Sequence, residues 1–376
     1  MSIDKDKLSK QFLRYMEKYH ELKTIEQKNK HDEEDLYSSG PMNIYVEPTN
    51  RCNLLCEFCA RENMERELGE LSLEAFENII KDLPQFSWIS FLGNGEPLIN
   101  NNVYTMIKSA DERGFNTRII TNGTLLIKGN REKLLESGID EVHFSFDSIE
   151  KNLYEKIRKG AKYRETLLKI LLFIQEAKLS QKNNIFITVS SVQTEEVKKI
   201  NTFNRKFWLN LPIDNFYESP LYSLQQQSKS YEQIERTENK FTSCVIPWVS
   251  VKINFDGSVN ICPQDFSSKY PVGNVINSNL KQIQNNESAK RLRKAILEKD
   301  ISFFRECNYN CDLCNTWESG YSFSDFLTST YSIISGLNYE KTRPQIVEKE
   351  KLEKLDLYIE ILKSRALTLE DIERIS

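Results

Sequence analysis

Histidine is scarce in this chain of 376 residues: the three present, His20, His31 and His143, stand too far apart to suggest a paired-histidine zinc motif. Charge of one sign is lacking too. The formal net charge is -4 with no single-sign tail, so the basic excess that sequence-independent nucleic-acid binding needs is missing, and nucleic acid is not an expected partner. Long apolar runs are also absent from the start. Residues 1–23 scatter Lys, Asp and Glu throughout and leave no stretch suited to a signal peptide or a membrane span. The expectation is a cytoplasmic protein with no membrane partner. No internal repeat points to a solenoid.

Cysteine is present in an uneven pattern. Eight cysteines fall into two groups, Cys52, Cys56 and Cys59 in one, Cys244, Cys262, Cys307, Cys311 and Cys314 in the other. In a reducing compartment such grouping favours metal binding over a disulfide framework. Around these groups the chain divides into a charged helical extension over residues 1–40, a βα-alternating region over 41–222, a Gln- and Ser-rich linker over 223–240, a cysteine module over 241–317 and a helical extension over 318–376. Six strands are expected in the second region, at 43–47, 88–92, 117–121, 141–146, 185–190 and 215–218, with helices between them. The pattern predicts an α/β fold: a partial (β/α)6 TIM-like barrel or an open doubly wound parallel sheet, followed by a small β-hairpin domain.

Cys52, Cys56 and Cys59 follow the first strand and its Pro48-Thr49-Asn50 turn. Three thiolates so spaced suit a loop around one iron–sulfur cluster, and a four-iron cluster held by three of them keeps one iron open to another ligand. The alternative is a zinc site, which normally pairs ligands at both ends and finds no nearby histidine here. The run from Val46 to Cys59 resembles the signature of the radical S-adenosylmethionine (radical SAM) superfamily, C-x3-C-x2-C with an aromatic residue, here Phe58, before the last cysteine. The resemblance implies a 4Fe–4S cluster that binds S-adenosyl-L-methionine, an external one-electron donor such as flavodoxin or ferredoxin, and cleavage to a 5′-deoxyadenosyl radical.

Later segments add cofactor contacts by the same resemblance. Gly93-Asn94-Gly95-Glu96-Pro97 is similar to the element that lines the methionine amino group, and glycine there lets the backbone approach closely. Asn122 ends the third strand. Ser145 and Asp147 end the fourth, on one side of the strand by their two-residue spacing, where a hydroxyl and a carboxylate suit a ribose. Arg158 is similar to an arginine that meets the cofactor carboxylate, with a solvated helix residue as the plain alternative. Ser190 is a further candidate.

The second cysteine group resembles an auxiliary-cluster domain of the SPASM or shortened twitch type. A hairpin turning at Phe255-Asp256-Gly257 brings Cys244 and Cys262 together. The resemblance implies one auxiliary 4Fe–4S cluster on Cys244, Cys262, Cys311 and Cys314, with Cys307 as a substitute for one of them; a zinc ribbon is the alternative. Asp265 is expected at the active-site mouth, and Tyr217 and Glu218 are candidate catalytic residues. The expected function is hydrogen abstraction from a small carbohydrate- or aminocyclitol-like substrate, leading to dehydrogenation or epimerisation. The alternatives are peptide modification by crosslinking or epimerisation, and a non-catalytic metal-binding scaffold.

Overall fold

Short apolar runs rich in Ile, Val and Phe become the strands of one sheet because alternate residues can pack on a common face. The structure, a computed structural model, describes residues 13, 16–18, 20–25, 28, 32–59, 61, 64–81, 83, 87–180, 185–220, 246–263, 265, 267–298, 300 and 348–375. Its strands are β1 (Asn43–Val46), β2 (Leu55–Cys56), β3 (Trp88–Phe91), β4 (Asn116–Thr121), β5 (Glu141–Ser145), β6 (Arg158–Lys159), β7 (Phe186–Gln193), β8 (Asn215–Pro220), β9 (Ser250–Ile253), β10 (Ser258–Asn260) and β11 (Gly273–Asn274). The helices are α1 (Leu73–Lys81), α2 (Val103–Glu112), α3 (Lys128–Glu136), α4 (Lys151–Ile157), α5 (Tyr163–Leu179), α6 (Glu195–Leu209), α7 (Ile246–Val249), α8 (Leu280–Gln284), α9 (Glu287–Leu297), α10 (Lys349–Ser364) and α11 (Leu369–Ile375).

Nine strands form one sheet in the order β11-β10-β9-β1-β3-β4-β5-β7-β8. The run from β1 to β8 is parallel throughout, as βα alternation requires. Among the described residues the sheet is open, with β8 and β11 at its edges. Glycines past α2 and α3 take the left-handed conformation that ends a helix, Gly114 at φ +82 and Gly138 at φ +79.

The two faces of the sheet differ in chemistry. Ile44, Val46, Ile89, Phe91, Ile119, Val142, Phe144, Ile187 and Val189 are all 0% exposed and form the helix-covered face. Phe144 meets Phe173 of α5 edge-on at 5.5 Å between ring centroids. Residues one position along each strand face the other way, into the lumen, whose C-terminal mouth is where barrel-like folds place their sites.

The second module continues the first one's sheet. β9 runs parallel to β1 from Asn43↔Ser250 to Val46↔Ile253, and β10 returns antiparallel to it. Arg293, 0% exposed, braces this junction: it donates to the carbonyls of Pro247 (3.1 and 3.0 Å), Leu36 (2.8 Å) and Gln284 (2.6 Å) and lies over the Trp248 ring. Through Leu36 the N-terminal segment is tied in as well. At the other end α10 lies on α5, and the Phe207 and Tyr358 rings are 4.8 Å apart.

Candidate active site

The cysteine loop leaves the C-terminal end of β1, where parallel sheets gather functional loops. Cys52, Cys56 and Cys59 are half-buried there, and the Cys59 amide donates to the Cys56 carbonyl at 3.0 Å, closing a tight turn around Phe58. Cys56 lies in β2, paired antiparallel with Arg158 in β6. Arg158 is therefore no solvated helix residue. It leaves α4 at its C-terminus, is 8% exposed, and donates from Nε to Asp147 Oδ2 at 2.5 Å. Its Nη1 lies 3.7 Å from Cys56 Sγ, and its guanidinium sits over the Phe58 ring at 5.6 Å. One cation thus touches two residues of the cysteine motif.

Asp147 is 0% exposed, and its carboxylate is spent on Arg158 and on the Val192 amide, 2.9 Å from Oδ1. The expectation of a ribose-binding carboxylate is corrected accordingly: burial and two protein donors make Asp147 the group that aims Arg158. Asp265 is corrected on the same ground. It is 3% exposed and accepts from Asn260 Nδ2 and from the amides of Lys269 and Tyr270, so it organises the loop after Cys262 instead of facing an open mouth.

The Gly93–Pro97 loop packs against the residues that lead into the cysteines. A Cβ on Gly95 would stand 2.4 Å from the carbonyl oxygens of Thr49 and Arg51, an approach that glycine alone permits. Next to it the Glu96 amide donates to the Arg51 carbonyl at 2.8 Å. The Glu96 carboxylate is 2% exposed and accepts from Leu98 N, Thr121 Oγ1 (2.7 Å) and Asn122 N (2.8 Å); burial raises its pKa. It locks this loop to the end of β4, with Pro97 opening the short helical turn that follows. Asn122 Nδ2 in turn reaches Asn53 Oδ1 of the cysteine loop at 3.1 Å.

Ser145, Ser190 and Tyr217 occupy one row across β5, β7 and β8 on the lumen face. The two serines are half-buried, and Tyr217 is 45% exposed. Glu218 points the other way along β8 and is ion-paired with Arg205 of α6, which holds its carboxyl below the usual range, so it stands apart from the row.

Sequence reasoning missed the residues that knit the loops together. Glu47, 0% exposed, takes both ends of the Arg66 guanidinium at 3.2 and 2.7 Å, the Asn94 amide at 3.1 Å and the Phe255 amide at 3.3 Å. It ties the glycine loop to the hairpin turn of the second module. Asn50 and Asn53 are missed too; Asn50 bonds Gly69 N and Glu67 O. The available signal was a charged residue, Glu47, directly after an apolar strand.

Two family descriptions match this arrangement, the radical SAM superfamily over residues 46–203 and the SPASM iron-sulfur cluster-binding domain over residues 244–316. The chain carries a radical SAM domain followed by a SPASM domain. Among curated relatives it is similar to the tungsten-containing aldehyde ferredoxin oxidoreductase cofactor-modifying protein of Pyrococcus furiosus, 37% identical over 138 residues, 32% of this chain and 39% of that one. It is also similar to the PqqA peptide cyclase of Granulibacter bethesdensis, 32% identical over 141 residues, 37% of this chain and 38% of that one. The chain thus spans about two fifths of the length of these relatives. Two solved structures share the fold. Streptococcus suis SuiB bound to precursor peptide SuiA gives a TM-score of 0.54 at 15% identity, over 68% of this chain and 67% of that one. The anSMEcpe structure with bound AdoMet gives 0.53 at 15% identity, over 87% of this chain and 100% of that one.

A radical SAM enzyme with a SPASM domain uses 4Fe–4S clusters and S-adenosylmethionine. The residues around Cys52, Cys56 and Cys59 fit that requirement. Their thiols are half-buried, and burial pushes Cys52 up and Cys56 up to about 11, so ionising those two calls for a cationic body such as an iron cluster. Among the described residues no set of three His, Cys, Asp or Glu closes on a single-ion site. Of the second group, Cys262 is half-buried just past β10; Cys244, Cys307, Cys311 and Cys314 lie outside the described residues.

Proposed function

We propose that this enzyme takes a hydrogen atom from a carbon of a small polar substrate, sugar- or aminocyclitol-like, and that dehydrogenation or epimerisation follows. When bound, the three-cysteine cluster and S-adenosylmethionine supply the 5′-deoxyadenosyl radical that does so. The observation that carries the reading is the contact of Arg158 with both Cys56 Sγ and Asp147. In this reading Cys52, Cys56 and Cys59 hold the cluster, while Arg158, aimed by Asp147, receives the carboxylate of the cofactor. Gly93, Asn94 and Gly95 offer close backbone for its amino group, and Asn122, Ser145 and Ser190 offer hydroxyl and amide partners for its nucleoside part. The substrate then lies below, in the lumen, with Tyr217 at its rim. Cys262 and the later cysteines carry the auxiliary cluster as an electron acceptor or relay, and a flavodoxin- or ferredoxin-like protein delivers the first electron.

A second reading, modification of a peptide, is favoured by the similarity to a PqqA peptide cyclase and by the fold shared with a peptide-bound SuiB. Anaerobically reconstituted protein given dithionite and S-adenosylmethionine is expected to form 5′-deoxyadenosine slowly without substrate, and faster with the true one. A rate that rises with aminocyclitols supports the first reading, and one that rises only with a peptide supports the second. No 5′-deoxyadenosine under any condition overturns both.

A further inference from the structure

The lumen below the cofactor contacts is lined by unusual residues for such a place. Barrel interiors are ordinarily filled by layers of bulky branched aliphatics. Here one row across the sheet reads Lys252, Tyr45, Ser90, Arg118, Glu141 and Phe186, and the row above it, one layer nearer the cysteine loop, reads Ile120, His143, Thr188 and Asn215. These residues share the face opposite Phe144 and Val142, so they point into the lumen and away from the helices. Apart from Phe186 and Ile120, polar residues stand where aliphatic filling is ordinary.

The hydrogen bonds of Arg118 do not use it up. Arg118 donates from Nε and Nη2 to one acceptor, Ser90 Oγ, at 3.3 and 3.0 Å. Its Nη1 forms an ion pair with Glu141 Oε2 at 3.7 Å, too long for a hydrogen bond, while Glu141 Oε1 accepts from Thr188 Oγ1 at 2.9 Å. Most of the five N–H groups of the guanidinium therefore remain for another acceptor. Beside it the Nε2 atom of His143 is buried and has no hydrogen-bond partner among the described residues, an arrangement that costs stability unless a ligand answers it. Burial, and then the charge of Arg118, push the His143 pKa down to about 3, so the ring is neutral at ordinary pH. A planar fork with unspent donors matches a carboxylate, and a neutral imidazole next to it adds one more polar contact without adding charge.

We propose that this lower lumen is a substrate subsite that grips a carboxylate through Arg118, with His143 as the second polar contact. The proposal rests on the reading above, in which substrate occupies the lumen, and it narrows the substrate to one bearing an acid. A sugar acid and an acidic peptide side chain share that chemistry, and the test separates them.

The test uses holoenzyme carrying its clusters, in their oxidised state, and S-adenosylmethionine, labelled with 13C-histidine. The chain holds three histidines, so the spectrum is simple, and the His143 signal is the one lost in His143→Gln. D-gluconate, its uncharged counterpart D-glucitol and the blocked peptide Ala-Glu-Ala are titrated in turn. A saturable shift of His143 with gluconate, with the peptide or with both, weakened about tenfold or more in Arg118→Gln, is expected; which probe acts identifies the source of the carboxylate. Should Arg118→Gln fold poorly, Ser90→Ala, which removes the hydroxyl that props the guanidinium, is expected to weaken the same titration. The subsite is overturned if neither carboxylate moves His143, if glucitol moves it as far as gluconate, or if the variants titrate like the parent. Formation of 5′-deoxyadenosine is then measured on the same samples after dithionite is added to reduce the clusters: its absence from the parent protein counts against the radical reading, whereas its presence beside an unmoved His143 counts against the subsite alone.

Discussion

At the scale of single residues, buried charge is the most exposed to test. Asp147→Asn removes the partner of an almost wholly buried guanidinium, and loss of one member of such a pair costs about 3–5 kcal/mol. Urea unfolding is expected to show that loss, together with weaker binding of S-adenosylmethionine, and an unchanged midpoint would contradict the pairing. Glu47 makes a pH-dependent contribution. Burial alone would raise its pKa, but the charges of Lys252 and Arg66 outweigh it and hold the carboxyl below its ordinary value. A depressed acid stabilises the fold above its unfolded pKa and loses that stabilisation as pH falls from the ordinary carboxylate range through the folded value. Melting temperatures of the parent protein should therefore fall more steeply over that window than those of Glu47→Gln. Motif residues such as Cys56, Gly95 and Glu96 were legible because spacing and residue type mark them. Asp147 was misplaced because strand spacing tells which side a carboxylate is on, and Asp265 because a place just after Cys262 suggests the mouth; neither tells which donors will reach the carboxylate first. Glu47 and Arg66 went unread because their meeting joins segments that lie 19 residues apart in sequence.

Among elements, the six parallel strands and the helices between them could be read from apolar periodicity and capping residues, since each is decided within a few residues. The antiparallel pair of β2 and β6 could not. Two residues on each side carry no periodicity, yet this pair brings Arg158 to Cys56. The joining of β9 to β1 was equally hidden, because parallel pairing between distant strands leaves no local trace. That junction has its own test. Arg293→Met strands the carbonyls of Pro247, Leu36 and Gln284, each at about 1–3 kcal/mol, and should lower the unfolding midpoint markedly. Gly95→Ala acts on a shorter range: its methyl would press on two backbone carbonyls, and isothermal titration should show S-adenosylmethionine affinity falling by at least about tenfold while the fold survives.

Over the whole molecule, a half-barrel presents its C-terminal loops to the first cysteine group and extends its own sheet, through β9 and β10, to carry Cys262. No helix among the described residues is long and apolar enough to cross a membrane. This continuity of sheet carries Cys262 on the same sheet as the first cysteine loop. The most direct measurement is 5′-deoxyadenosine formed by anaerobically reconstituted protein with dithionite and S-adenosylmethionine, compared among the parent, Cys56→Ala and Cys262→Ala. The parent and Cys262→Ala should form it, and Cys56→Ala should not. Equal formation by Cys56→Ala, or none by a parent protein that has taken up iron and sulfide, would contradict the assignment of the three-cysteine loop as the seat of the radical chemistry.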